Sequence, residues 1–399
     1  MAVGQAGILA VEEDSQPGET PSCPQARCLC SNPAPLASFC AHSIRHSAFD
    51  ALPAHLEIRI ADEEAMRHVL ASLSCLGFMS ANKAQEIIKR AMADRSVYDA
   101  MAARENEVWG KILPDLERSE ARMEDAEASV KLGVARRNSS LFRVAQERKL
   151  KFENGLTLGC GAGRCERDLV NAGVCRSFHG VDISEQAITT AREIAKEQNL
   201  PLTYEVADLN FVELPEKRFD LVVAQTSLHH VLFLERVAEQ VWRSLKSDGY
   251  LWIHDFIGET QGQYDPKRLS IMNRILAILP EKFRQNKING QLIAEIKRPE
   301  PGRLGSPFES IRSGEIIPVF QRWFTIEWQM EFDAILRLVM PPGTRAAYLE
   351  NEDTKALFEI LMLLDRLCIE EKIVQPVGGQ YLMRPRSVND IPATSTTNG

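Results

Sequence analysis

The run Leu156-Thr157-Leu158 leads straight into Gly159-Cys160-Gly161-Ala162-Gly163, and a helical pattern begins within a few residues of the last glycine. A glycine at every second position lets the chain turn sharply and lets bare backbone approach a ligand where a Cβ would collide. The amide groups that open the next helix then face that ligand. Outward from this loop, short β-rich runs alternate with helical ones. Strands are predicted at Leu156–Leu158, Phe178–Val181, Leu202–Val206, Leu221–Ala224 and Tyr250–His254, and helices at Glu166–Ala172, Glu185–Gln198 and His230–Leu245. Such alternation predicts an α/β fold with a mostly parallel sheet and crossover helices on both faces.

The loop narrows the ligand. A dinucleotide-binding loop reads G-x-G-x-x-G, and its third glycine would fall on Arg164 or on Glu166, depending on the register. No Gly-Lys-Ser or Gly-Lys-Thr occurs anywhere, so the phosphate loop is missing as well. What remains suits a ligand that joins an adenosine to an amino acid without phosphate, the make-up of S-adenosylmethionine (SAM). In Gly180-Val181-Asp182-Ile183-Ser184, Asp182 ends the second strand 23 residues beyond Gly159. That is close to the ~20 expected of an acid that grips ribose hydroxyls. The alternative makes Asp182 a cap of the helix that starts near Ser184. Val206-Ala207-Asp208-Leu209 follows the third strand, where Asp208 by itself reads as an ordinary turn residue.

From about Phe152 to Arg384 the chain resembles the class I SAM-dependent methyltransferases, in particular a bacterial type 11/12-like subgroup. Leu156 to Gly163 looks like that family's glycine-rich first motif, with one departure: Thr157 stands where the family usually has Asp or Glu. The resemblance implies a Rossmann-like sandwich and SAM as cofactor. It implies that Asp208 accepts from the adenine amino group while the neighbouring backbone, at Leu209, reads a ring nitrogen. Phe219 to His230 looks like the family's fourth strand and the turn after it, which places Gln225 near the methionine part of SAM. Ile253-His254-Asp255-Phe256-Ile257-Gly258, Ile278 to Arg284 and Ser306 to Ser313 are similar to segments of the bacterial subgroup. The candidate cofactor contacts are Gly159, Cys160, Gly161, Gly163, Asp182, Ile183, Asp208, Leu209 and Gln225. His229, His230 and Asp255 are the candidates for catalysis, as a base toward a hydroxyl acceptor or as acceptor-orienting groups. If the histidines open a helix, only one of them faces the pocket.

The flanks read differently. Residues 1–57 are expected to be a disordered extension, 58–150 helical, 151–257 the SAM-binding core, 258–323 a helical substrate cap, 324–385 two strands and a helix that complete the sheet, and 386–399 a disordered tail. A helix from Val97 to Ile112 is expected to be interrupted by Pro114. In the cap, Arg268, Arg274, Arg284 and Arg312 would suit an anionic or sugar-like acceptor, although each alone reads better as surface charge.

Bulk properties limit the partners. A net charge of -8 speaks against nucleic acid, whose binding draws on Lys and Arg. The 9 cysteines are an odd number and scattered, which suits a reducing compartment. Cys23, Cys28, Cys30 and Cys40 lack paired zinc spacing, and no metal is expected. No run approaches the ~20 apolar residues of a membrane helix, so a cytoplasmic protein, monomeric or homo-oligomeric, is expected. The expected activity is methyl transfer from SAM to a small-molecule or glycan-like acceptor. A non-catalytic SAM-binding scaffold and a protein or nucleic-acid methyltransferase are the alternatives. The signature of the last class is absent after strand four, where Gln225-Thr226-Ser227-Leu228 stands.

Overall fold

In the computed structural model, residues 82–118, 140–287 and 289–392 are described, with isolated positions between 124 and 132. The expected extension at 1–57, the cysteines within it and the last residues of the tail lie outside the described residues.

Seven strands form one sheet: β1 (Phe152–Leu158), β2 (Cys175–Asp182), β3 (Leu202–Val206), β4 (Phe219–Gln225), β5 (Leu245–Phe256), β6 (Phe324–Phe332) and β7 (Gly378–Pro385). Their order is β3-β2-β1-β4-β5-β7-β6. The first five run parallel, and β7 is antiparallel to both of its neighbours. The helices are α1 (82–93), α2 (Arg95–Arg118), α3 (Ser140–Glu147), α4 (Arg164–Asn171), α5 (Glu185–Glu197), α6 (Leu234–Ser244), α7 (Pro266–Ile278), α8 (Ile316–Phe320), α9 (Leu336–Val339) and α10 (Glu352–Glu370).

The centre of the sheet reads as continuous apolar sequence because both of its faces are covered. Along β4, Leu221 and Val223 turn to one face, with α3 and Leu169, while Val222 and Ala224 turn to the other, with α6 and α8. All four are fully buried, and each larger side chain so buried contributes about 1.5–3 kcal/mol. Strand order reverses on either side of β1, and in open sheets of this kind ligands bind at that point, beyond the carboxyl ends of the strands. Register brings those ends into a row: Leu158 pairs with Val181 and Ala224, Asp182 with Val206, and Gln225 with His254.

Two local expectations are corrected. Helix α2 runs on through Pro114 to Arg118; one missing amide removes a single rung from a 24-residue ladder. Helix α6 begins at Leu234, not at His230. The Oδ1 atom of Asn210 takes the amides of Leu232 and Phe233 at 2.8 and 2.9 Å, which holds the chain extended ahead of the helix. Beyond β5, one apolar core draws on residues from both sides of position 323. Met272 and Leu276 of α7, Val339 of α9, and Phe358 and Leu361 of α10 pack together there, so α10 belongs with the post-β5 segment. Among the described residues, no helix is long and apolar enough to cross a membrane.

Candidate active site

The strand ends open into a cavity of about 530 Å³, within the ~300–1,000 Å³ usual for small-molecule sites. Its first half is built from the glycine loop and the two acids read from sequence. Gly159, Cys160 and Gly161 line it, and Gly159 and Gly161 have φ of 66° and 53°, the left-handed region that glycine enters at no steric cost. A Cβ on Gly159 would lie 2.4 Å from Cβ of Ser227, so glycine here also admits the turn after β4. Asp182 takes the Gly161 amide on one oxygen and the Ser184 amide on the other, each at 2.8 Å. It therefore braces the loop while facing the cavity, and Ser184 caps α5 instead. Burial pushes its carboxyl up despite those two amides.

Asp208 lines the same cavity. Its carboxylate receives the Tyr98 hydroxyl at 2.6 Å and the amide and side chain of Asn210 at 2.9 and 3.2 Å. Ile183, Leu209 and Gln225 also line it. Gly163 does not; a Cβ there would meet the Tyr204 hydroxyl at 2.3 Å, so that glycine serves the packing of the helix start.

Thr157, where a carboxylate was expected, lines the cavity, and its buried hydroxyl has no aligned hydrogen-bond partner. Behind it lies Glu166, fully buried on the first turn of α4, with both oxygens equally unpartnered. Burial pushes its carboxyl up to about 7, with the Thr157 hydroxyl beside it acting in the opposite sense. A ligand of SAM's make-up fits this half: bare backbone, two carboxylates, the orphaned hydroxyls of Thr157 and Ser227, and the Gln225 amide.

The second half is polar and differs from expectation. His229 and His230 both line the cavity, with ring centroids 4.1 Å apart. They sit on a single 3-10 turn, Leu228–His230, where helical divergence does not apply. Asp255 shapes that turn. One of its oxygens takes the amides of Ser227 and Leu228 at 3.0 and 2.7 Å, and the other takes Nδ1 of His229 at 2.5 Å and the Phe256 amide at 2.7 Å. Burial opposes its charge, but His229 and these amides outweigh it and hold the carboxyl below the usual range. Asp255 lines the cavity with both oxygens bonded to the chain, and so holds the His229 ring and the turn in place.

Four further cavity residues escaped the sequence reading. Glu105 of α2 lies 2.8 Å from Nδ1 of His230, a charge contact more than an aligned hydrogen bond. It also accepts from Trp109 Nε1, the Ser306 hydroxyl and the Phe308 amide at 2.7, 2.9 and 3.0 Å. Burial disfavours its charge, yet these partners win and lower its pKa. His230 is the mirror case: burial works against its proton, and Glu105, Glu309 and Asp255 together raise its pKa. Glu309, Trp109 and Arg337 complete the wall, with Arg337 stacked 4.2 Å from the Phe256 ring centroid.

None of the cap arginines expected here lines the cavity. Arg268 is fully buried, bonded to Glu259 and to the carbonyls of Ala334 and Gln375. Arg312 pairs with Glu235 and Glu315. Arg284 reaches the Ile293 carbonyl, and Arg274 is exposed. These are packing and surface roles.

Residues 156–253 match a family model described as a methyltransferase domain. Over 109 residues, 27% of this chain, the sequence is 37% identical to "Arginine-hydroxylase NDUFAF5, mitochondrial" of Rattus norvegicus and covers 30% of it. Over a stretch of the same length it is 29% identical to a "Ubiquinone biosynthesis O-methyltransferase" of Coxiella burnetii and covers 46% of that protein. The chain thus spans less than half the length of these curated relatives. A solved S-adenosylmethionine-dependent methyltransferase from Mesorhizobium loti aligns over 59% of this chain and 91% of its own, with 20% identity and a TM-score of 0.34.

Proposed function

We propose that this chain, whose residues 156–253 match a methyltransferase-domain model, is a class I SAM-dependent methyltransferase that transfers a methyl group from SAM to a small-molecule or glycan-like acceptor that carries a hydroxyl. The supporting observation is the division of one cavity into two chemically distinct halves: Asp182 and Asp208 with the glycine loop, and His229, His230 and Glu309 opposite. SAM supplies an activated methyl on a sulfonium, which leaves as a neutral thioether. The chain's own work is alignment of the acceptor oxygen with that methyl, in a pocket that excludes water.

In this reading the loop backbone and Asp182 hold the ribose side, Asp208 the adenine, and Gln225 with Thr157 the amino-acid end. The His229 ring is fixed by Asp255 through Nδ1, so its Nε2 faces the acceptor half and can take the hydroxyl proton. Trp109 and Phe308, from outside the SAM-binding core, close the acceptor half and favour a compact acceptor over a polymer.

A non-catalytic SAM-binding scaffold is the second reading, favoured by Thr157, which gives the ligand's ammonium no charge partner. Calorimetric SAM affinity measured alongside turnover on a panel of hydroxylated acceptors separates the two. Binding with no turnover on any acceptor supports the scaffold, and turnover by wild type that collapses in His229→Ala supports the enzyme.

A further inference from the structure

We propose that Nε2 of His229, Nε2 of His230 and the Glu309 carboxylate bind a divalent cation, and that the acceptor hydroxyl reaches the methyl donor as a ligand of that ion. The second clause rests on the methyl-transfer reading; the first does not. It departs from the expectation that the chain holds no metal, which considered only the N-terminal cysteines.

Three independent features carry it. The first is spacing. One Glu309 oxygen is 3.6 Å from Nε2 of His229, the other is 3.7 Å from Nε2 of His230, and the three donor atoms lie within 4.8 Å of one another. These separations are too long for hydrogen bonds. They are close to the roughly 3–3.5 Å between two donors that share an ion about 2.1 Å from each.

The second is what stands behind each ring. Nδ1 of His229 donates to Asp255, and Nδ1 of His230 contacts Glu105. A carboxylate on the far nitrogen fixes the tautomer, turns the Nε2 lone pair outward and raises its basicity, the arrangement found behind metal-bound histidines. Here it is complete at His229, and at His230 the Glu105 carboxylate stands in the same place as a charge contact. Both supporting carboxylates are held by other donors: Asp255 by three backbone amides, Glu105 by Trp109, Ser306 and Phe308. Glu309 receives only its neighbour Ser310 at 3.4 Å among the hydrogen bonds described, so its oxygens are left for the cavity.

The third is charge. Three carboxylates enclose two imidazoles in a place where Asp255, Glu105 and His229 are all buried. A dication between the neutral rings and Glu309 offsets that excess of negative charge, which burial otherwise makes costly.

Two imidazoles and a carboxylate suit Zn, Fe, Co, Mn or Ni better than Mg or Ca, which favour all-oxygen shells. Three protein ligands leave positions open toward the methyl-donor half. An acceptor hydroxyl that binds there becomes more acidic and releases its proton to solvent as it enters, so that with the ion in place the metal, and not the Nε2 of His229 that ligates it, activates the oxygen. That oxygen then forms the O–CH3 bond as the S–CH3 bond breaks, releasing the neutral thioether.

The test is a titration of the full-length, chelator-treated protein with Co2+, followed in the visible region without SAM or acceptor. The expected result is one ion per chain with d–d bands but without thiolate charge-transfer absorption, also in a background with Cys23, Cys28, Cys30 and Cys40 changed to serine. Glu309→Gln and His230→Ala are each expected to weaken that binding at least tenfold at unchanged helical content. Affinity untouched by Glu309→Gln, or a wild-type Kd weaker than about 1 mM, overturns the proposal. SAM affinity of the metal-free protein is measured separately, so loss of the metal reading and loss of the methyl-transfer reading are distinguishable.

Discussion

The Tyr98 hydroxyl donates to Asp208 over 2.6 Å, tying a helix that precedes the sheet to the carboxyl end of β3. Tyr98 is fully buried against Phe211, Phe233 and Phe308. One wall of the nucleoside half therefore depends on how α2 is seated. Tyr98→Phe keeps the aromatic packing and leaves one Asp208 oxygen without its donor. The expected result is a loss of about 1–2 kcal/mol of stability, with faster amide exchange along α2 and unchanged exchange in β1 and β4. Hydrogen-exchange mass spectrometry reads this directly, and uniform exchange changes across the chain would contradict it.

Gly161 has a φ of 53° and faces the cavity. Valine is a poor occupant of that backbone region, and its side chain would project where the ligand lies. Gly161→Val is expected to abolish SAM binding while the circular dichroism spectrum stays native. Binding retained within a factor of about 3 would reduce the loop to a plain turn.

Glu166 predicts a pH dependence with a definite sign. Its carboxyl is pushed up from 4.5 to about 7 by burial, so between those values the folded chain holds a proton that the unfolded chain has released. Stability therefore falls as pH rises from about 4.5 to about 7 and is level above. The loss amounts to roughly 3 kcal/mol. Glu166→Gln removes it, so the variant is expected to gain on wild type from about pH 4.5 to about pH 7 and to keep a constant lead above that. Denaturation curves that run parallel over that interval would show the carboxyl to be unperturbed.

The nucleoside half was legible because each of its parts stands at a strand end, and strand ends recur at distances set by the length of a βα unit. Gly159, Asp182 and Asp208 follow β1, β2 and β3 in turn, and the parallel register aligns them. The other half was not. Glu105, Glu309 and Arg337 come from segments far apart in the chain, and their approach is set by tertiary contacts such as the Ser306 and Phe308 bonds to Glu105. A buried glutamate on a charged helix carries no local mark that separates it from a solvated one. The His229–His230 pair was visible, but helical periodicity assigned it one inward face. The Asp255 and Asn210 hydrogen bonds, which act across 20 or more residues, decide otherwise.

The methyl-transfer reading requires Asp182 to face a bound adenosine as well as its own loop. Calorimetric titration of SAM into wild type and Asp182→Ala, side by side, tests this most directly. One SAM per wild-type chain, with affinity at least tenfold weaker (~1.4 kcal/mol) in the variant and native circular dichroism in both, is the predicted result. Equal affinity in the two proteins, or no SAM binding by wild type, would contradict the account.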